Sequence, residues 1–123
     1  MPNALKRILV VDDQPDAAAS LAMLLSMHGH DAKAVEDSRQ AMPVAKQFRP
    51  NVAVLDLRMP HIDGLKLARL FRADPDLQGV VLIALTADAD PVMRQRTKEC
   101  GFAVHLLKPA SDSELQRIIT TLS

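Results

Sequence analysis

Three carboxylates, a hydroxyl and an amine stand where apolar runs of this 123-residue chain come to an end. "RILVV" leads into Asp12-Asp13, "NVAVL" into Asp56, "VVLIAL" into Thr86 and "AVHLL" into Lys108-Pro109. If those runs lie side by side, the acids meet and repel, by about 4 kcal/mol for two unit charges roughly 4 Å apart at an effective dielectric near 20. A cation should offset that repulsion. An all-oxygen donor set with no nearby Cys or His run selects a hard ion that also keeps waters and phosphate oxygens, most simply Mg²⁺. Such a site suits phosphoryl transfer, because the metal screens an attacking carboxylate from an incoming phosphoryl group. Lys108 would then hold one phosphoryl oxygen as a point charge, the Thr86 hydroxyl would donate to another, and Asp56 would be the nucleophile that becomes an acyl phosphate.

The elements that must position these groups are legible in the hydrophobic pattern. Five short runs read as strands: Arg7 to Val11, Asp31 to Val35, Asn51 to Leu55, Val80 to Leu85 and Ala103 to Leu107. Four have few polar interruptions, as strands covered on both faces do, whereas "DAKAV" alternates and carries Lys33, which suits an edge. Between the runs lie segments of helical period. Pro15 opens the first, Leu21, Leu24 and Leu25 share a face, and Gly29 stops it. The second, Ser38 to Phe48, contains Pro43, which should kink or restart it. A turn containing Met59-Pro60 and Asp63-Gly64 leads into the third, and a fourth ends at Cys100-Gly101. Ser111 to Glu114 fits a capping box for the last, with Leu115, Ile118, Ile119 and Leu122 on one face. This alternation predicts an α/β fold with right-handed crossovers, and a doubly wound, five-stranded parallel sheet of the flavodoxin-like type in the order 2-1-3-4-5 is the arrangement that would put the polar strand at an edge. In that order the "DAKAV" strand is the outsider, and the ends of the other four converge at the switch point between the first and third strands.

Taken together, "ILVVDDQPD", "VLDLRMPHIDGL", "IALTA" and "HLLKP", in this order and spacing, resemble the receiver domain of two-component response regulators over nearly the whole chain. The resemblance implies a (βα)5 receiver in which Asp56 accepts a phosphoryl group from a phosphohistidine on a histidine kinase or phosphotransfer protein. It implies that Asp12, Asp13, Asp56 and the backbone carbonyl of Arg58 serve Mg²⁺, that Thr86 and Lys108 engage the phosphoryl group, and that the peptide before Pro109 is cis. The pairing of Gly101-Phe102 with His105 to Pro109 is similar to receivers fused to hybrid sensor kinases. His105 stands where many stand-alone regulators carry a switching Tyr or Phe; an imidazole there would alternate between exposed and inward positions and respond to pH. Arg58, two residues past Asp56, would reach toward Asp88, two past Thr86, and shield the acyl phosphate from water.

Composition narrows the partners. Lys plus Arg and Asp plus Glu balance at 15 each, so no overall field draws the chain to nucleic acid or a membrane surface. No apolar stretch approaches a membrane span, "MPNALKR" lacks a secretory signal's apolar core, and the single Cys100 cannot form an internal disulfide. The expectation is one cytoplasmic domain over residues 1–123, with no output domain in this chain and with proteins as direct partners: a kinase or phosphotransfer protein, and a downstream target or fused kinase. It would be a switch with only self-directed phosphorylation and dephosphorylation. A degenerate receiver that binds partners without phosphorylation is the alternative. An aspartate-nucleophile phosphatase would carry a second Asp where Arg58 stands, and a flavin carrier would find no Trp or Tyr and an acidic "DDQPD" loop. His28, His30 and His61 are expected at the surface, Arg94 and Lys98 on a solvated helical face, and the Met residues in the core.

Overall fold

A computed structural model of the chain describes residues 6–87, 90–108 and 111–121. Asp88, Pro109 and Leu122, each named above, lie outside them. The described elements run β1 (Arg7–Val11), α1 (Pro15–Met27), β2 (Asp31–Val35), a 3-10 turn (Ser38–Gln40), α2 (Ala41–Phe48), β3 (Val52–Asp56), α3 (Gly64–Ala73), β4 (Val81–Thr86), α4 (Pro91–Glu99), β5 (Phe102–Leu107) and α5 (Asp112–Thr121). The strands form one parallel sheet in the order β2-β1-β3-β4-β5, as the pattern predicts. β3 and β4 each extend one residue further than expected, so Asp56 and Thr86 are the last rungs of their strands rather than the first residues of loops.

Period-two alternation along the buried strands divides the core into two layers. Leu9, Val11, Ala53, Leu55, Leu82 and Ala84 face α2 and α3, whose Ala41, Ala45, Leu67 and Phe71 are buried against them. Ile8, Val10, Val52, Val54, Ile83 and Leu85 face α1 and α5 through Ala18, Leu25, Leu115 and Ile119. Burying each such Leu or Ile side chain contributes about 1.5–3 kcal/mol, which holds the strand ends in fixed register. In α1 the buried face is Ala18, Ala22 and Leu25 with Leu21 packed beside it; Leu24 is only half-buried. Small alanines there let the helix sit close to the sheet.

Helix boundaries follow local chemistry. Pro43 neither kinks nor breaks a long helix: the chain makes the 3-10 turn first and starts α2 at Ala41, which places Pro43 in the first turn, where its missing N–H is not needed. Asp37 caps the 3-10 turn by accepting from the Arg39 amide (2.9 Å), and the Arg39 guanidinium beside it holds its carboxyl down at about 2. Asp63 caps α3, accepting from Lys66 N–H at 2.8 Å. Ser111 Oγ accepts from Glu114 N–H (3.1 Å), the forward half of the expected capping box. Gly29, with φ 94, carries the chain out of α1 in a conformation that favours glycine.

Two sequence expectations are corrected. His30 is buried, 8% exposed, because its Nδ1 accepts from the Lys6 amide (3.2 Å) while Nε2 donates to Gln116 Oε1 (3.1 Å), tying the start of the sheet to α5. Met23 and Met27 lie on the outer face of α1, 64% and 75% exposed, because α1 turns its alanines to the sheet instead.

Arg72 near the end of α3 joins segments that the core does not. Its guanidinium donates to Gln78 O (2.7 Å), Val80 O (2.9 Å) and Gly101 O (2.9 Å), clamping the loop before β4 and the turn before β5. Burial pushes the Arg72 pKa down, yet the group stays charged at any physiological pH. Replacing Arg72 by Ala strands part-buried carbonyls and should lower unfolding stability by about 1–3 kcal/mol in urea denaturation, with Arg72→Lys recovering only part of it.

Candidate functional site

The carboxyl ends of β1, β3, β4 and β5 form the rim on which the sequence-predicted residues fall. Parallel register carries the placement: Val11 is opposite Leu55, Asp56 opposite Leu85, and Thr86 opposite Leu107. Backbone bonds extend the ladder just past the strands, from Asp12 N–H to Val35 O (3.1 Å), Leu57 N–H to Leu85 O (3.1 Å) and Lys108 N–H to Thr86 O (2.8 Å). Asp12 and Thr86 are therefore anchored through their own main chain, and Asp56 by its place in the ladder opposite Leu85. They are also buried, at 4%, 6% and 1% exposure.

One carboxylate oxygen from each of Asp12, Asp13 and Asp56 lies within 4.8 Å of the others. Lys108 Nζ sits between two of them, 3.3 Å from Asp12 Oδ2 and 3.1 Å from Asp56 Oδ2. The remaining oxygens take local amides: Asp56 Oδ1 accepts from Arg58 N–H (3.2 Å) and Asp12 Oδ1 from Gln14 N–H (3.0 Å). Asp12 thus fixes the approach to α1, while Gln14, the N-cap residue, contributes no side-chain cap. Asp13 is half-buried and free of the capping duty that is a common use of Asp.

The electrostatics follow from crowding. Burial pushes the Asp56 carboxyl above its ordinary value, reinforced by the Asp12 charge, and the hydrogen bonds from Lys108 and Arg58 only partly offset it. Burial works against the charge on Lys108 as well, but Asp56 and Asp12 outweigh it and its pKa is raised. The cluster therefore has more negative charge than one ammonium neutralises. Its hard, all-oxygen donors fit a divalent cation such as Mg²⁺, with Asp12, Asp13 and Asp56 as the residues able to hold it.

The turn after β3 brings the chain back against its own strand. Gly64 begins α3 with its N–H on Leu57 O (3.0 Å), and a Cβ there would lie 2.5 Å from Asp56 O and 2.8 Å from Leu57 Cα. No side chain fits. His105, half-buried on β5, is tied to α4: Thr97 Oγ1 donates to Arg94 O (2.7 Å) and so accepts from His105 Nδ1–H (3.1 Å). Arg58 is exposed, as are Arg94 and Lys98 on α4. Thr97 and Ser38, both buried, escape sequence reasoning because a lone hydroxyl carries no periodic or motif signal.

A two-layered parallel sheet with three acids and a lysine at its switch point defines a doubly wound α/β domain built around an acidic pocket. The chain belongs to the response regulator receiver domain family, whose model matches residues 8–120. It is similar to the DNA-binding response regulator MtrA of Mycolicibacterium smegmatis, 36% identical over 94% of this chain and 49% of that protein, and to MtrA of Mycobacterium tuberculosis, 35% identical over the same shares. The chain spans about half the length of these relatives. Among solved structures, it resembles the receiver domain of a signal transduction histidine kinase from Syntrophus aciditrophicus (TM-score 0.86, 32% identity, 95% of this chain and 89% of that one). The chemotaxis protein CheY4 of Vibrio cholerae shares the fold, with TM-score 0.91 at 23% identity over 98% of this chain and 100% of that one. Among the described residues, no helix is long and apolar enough to cross a membrane.

The raised pKa of Asp56 sets the sign of a pH effect. The native state holds the Asp56 proton more tightly than the unfolded chain, so ionisation of this group subtracts stability as pH rises from the ordinary 3.8 through its raised value. The Lys108 contribution has the same sign in a higher window: its pKa is raised too, so its stabilisation is fully present at neutral pH and fades only in alkaline solution. In chelator, Asp56→Asn should therefore raise the melting midpoint at pH 7, and that gain should shrink as pH is lowered through the Asp56 transition.

Proposed function

We propose that this receiver accepts a phosphoryl group on Asp56 from a phosphohistidine of a histidine kinase or phosphotransfer protein, with Mg²⁺, and thereby switches a partner-binding surface. The observation that carries this reading is the buried Asp56 held between the acidic pair Asp12-Asp13 and Lys108 at the end of β3. A carboxylate oxygen of Asp56 attacks phosphorus, the P–O bond forms as the donor P–N bond breaks, and the leaving imidazole takes a proton from solvent. Asp12, Asp13, Asp56 and the Arg58 carbonyl are the residues that would hold the metal, which when bound screens charge between the nucleophile and the phosphoryl oxygens. Lys108 exchanges its Asp56 contact for a phosphoryl oxygen, and the Thr86 hydroxyl donates to another.

The new charge biases the loop after β4 and the face formed by α4, β5 and α5. Thr86 and His105 lie on adjacent strands, and the bond from His105 to Thr97 reaches α4, so a shift at Thr86 has a route to that face. This arrangement supports a switching role for His105. We read residues 1–123 as one cytoplasmic receiver unit whose catalysis is confined to its own phosphorylation and dephosphorylation. The relatives named as DNA-binding are twice as long, and for this segment we keep proteins as the direct partners. Phosphorylation-independent binding is the second reading, but the full set of Asp12, Asp13, Asp56, Thr86 and Lys108 favours the first.

Incubation with Mg²⁺ and acetyl phosphate, followed by intact mass, should add one phosphoryl group to the wild-type protein and none to Asp56→Asn; an unmodified wild type would favour phosphorylation-independent binding. Arg58→Ala should then speed loss of the phosphoryl group by roughly 2- to 10-fold, a change of about 0.4–1.4 kcal/mol in barrier. An unchanged decay rate would remove Arg58 as a shield.

A further inference from the structure

The segment Leu57 to Asp63 leaves the phosphoacceptor strand, carries the Arg58 carbonyl and returns at Gly64. Its base is tied to the sheet by Leu57 N–H to Leu85 O and to itself by Gly64 N–H to Leu57 O. Its outer limb is gripped from another element. Ser38, 2% exposed at the start of the 3-10 turn, donates its hydroxyl to Pro60 O at 2.8 Å and accepts from Ile62 N–H at 3.1 Å. The two bonds bracket His61, whose φ of 71 belongs to a tight three-residue turn in which the Ile62 N–H also bonds Pro60 O at 2.9 Å, so the Ser38 hydroxyl clips both ends of a strained turn to the 3-10 segment. Ser38, Pro60 and His61 also line one shallow pocket with Asp13, so the clip adjoins the acidic pair.

We propose that Ser38 is a positioning residue for the metal-binding arm of the site: its hydroxyl sets the path of the loop after β3 and so the place of the Arg58 carbonyl relative to Asp12, Asp13 and Asp56. The inference rests on the phosphoacceptor reading above and adds a residue from β2–α2 to a site otherwise built from the ends of β1, β3, β4 and β5. A serine hydroxyl suits the task because it donates and accepts at once, satisfying a carbonyl and an amide two residues apart. Ala fills nearly the same space and does neither. The effect should fall on metal affinity, since a carbonyl a few tenths of an ångström out of place loses much of its pull on an ion that demands strict octahedral geometry.

Mg²⁺ titration followed by amide chemical shifts, at a temperature well below unfolding, should show Ser38→Ala binding Mg²⁺ about 3- to 10-fold more weakly than wild type. Ser38→Thr, which keeps the hydroxyl, should recover most of that loss. Ile119→Val, a mild cavity in the opposite layer, should leave Mg²⁺ affinity unchanged and controls for general destabilisation. In the wild-type protein, Mg²⁺ should also slow hydrogen exchange of the Ile62 amide, a readout that needs no variant to fold. Wild-type affinity in Ser38→Ala, an equal loss in Ile119→Val, or an Ile62 amide that exchanges as fast with Mg²⁺ as without it would each overturn the role of Ser38 while leaving Asp56 as acceptor. A wild-type protein that neither binds Mg²⁺ nor takes a phosphoryl group would overturn both.

Discussion

Three carboxylates forced together at the end of a buried sheet are the constraint on which the rest of this structure depends. Asp12 and Asp56 are each almost fully enclosed, and among the described residues the ammonium of Lys108 is shared between them at 3.3 and 3.1 Å. A buried acid cluster with one counter-charge is electrostatically unsatisfied, which is why burial wins at Asp56 and its carboxyl resists ionisation. A divalent cation held by Asp12, Asp13 and Asp56 would answer that imbalance by adding positive charge where one ammonium falls short.

Such a cluster survives only on a rigid support. β3 is buried along its whole length, with Val52 and Val54 in one core layer and Ala53 and Leu55 in the other, so Asp56 cannot retreat into solvent by local movement of its strand. Gly64 presses α3 against the Asp56 carbonyl, and Ser38 holds the outer limb of the intervening loop. The strain the acids impose is thus borne by packing on three sides. The fourth side, toward β4, β5 and α4, is where a change in charge can do work: Thr86 and Lys108 share a backbone bond there, and His105 reaches Thr97 across to α4.

The strands and the residues at their ends were legible in the sequence because they depend on short-range signals, while the strand order followed from the polar second strand and the receiver-like motifs. Apolar runs of five or six residues mark strands, Pro15 and Gly29 mark helix ends, and an acid directly after "NVAVL" marks a strand terminus under tension. Pro43 was ambiguous because its effect depends on where the helix starts, and a 3-10 turn placed it in the first turn. His30 and the exposed Met23 and Met27 went the other way from expectation. Nothing local distinguishes a histidine that will find Lys6 and Gln116 from one in solvent, or tells which stripe of "AAASLAMLL" meets the sheet.

The sequence by itself determined the chemistry and the order in which it is presented: which acids, which hydroxyl, which amine, and the run of strands that ends on each. Only the tertiary structure decided the distances and the shared supports, because those are set by contacts between segments far apart in the chain. Lys108 meets Asp12 across 96 positions, Arg72 clamps Gly101 across 29, and Ser38 grips Pro60 across 22. Periodicity records how a segment packs, not which distant hydroxyl or amine will arrive beside it, and it is those arrivals that turn a row of strand ends into a site.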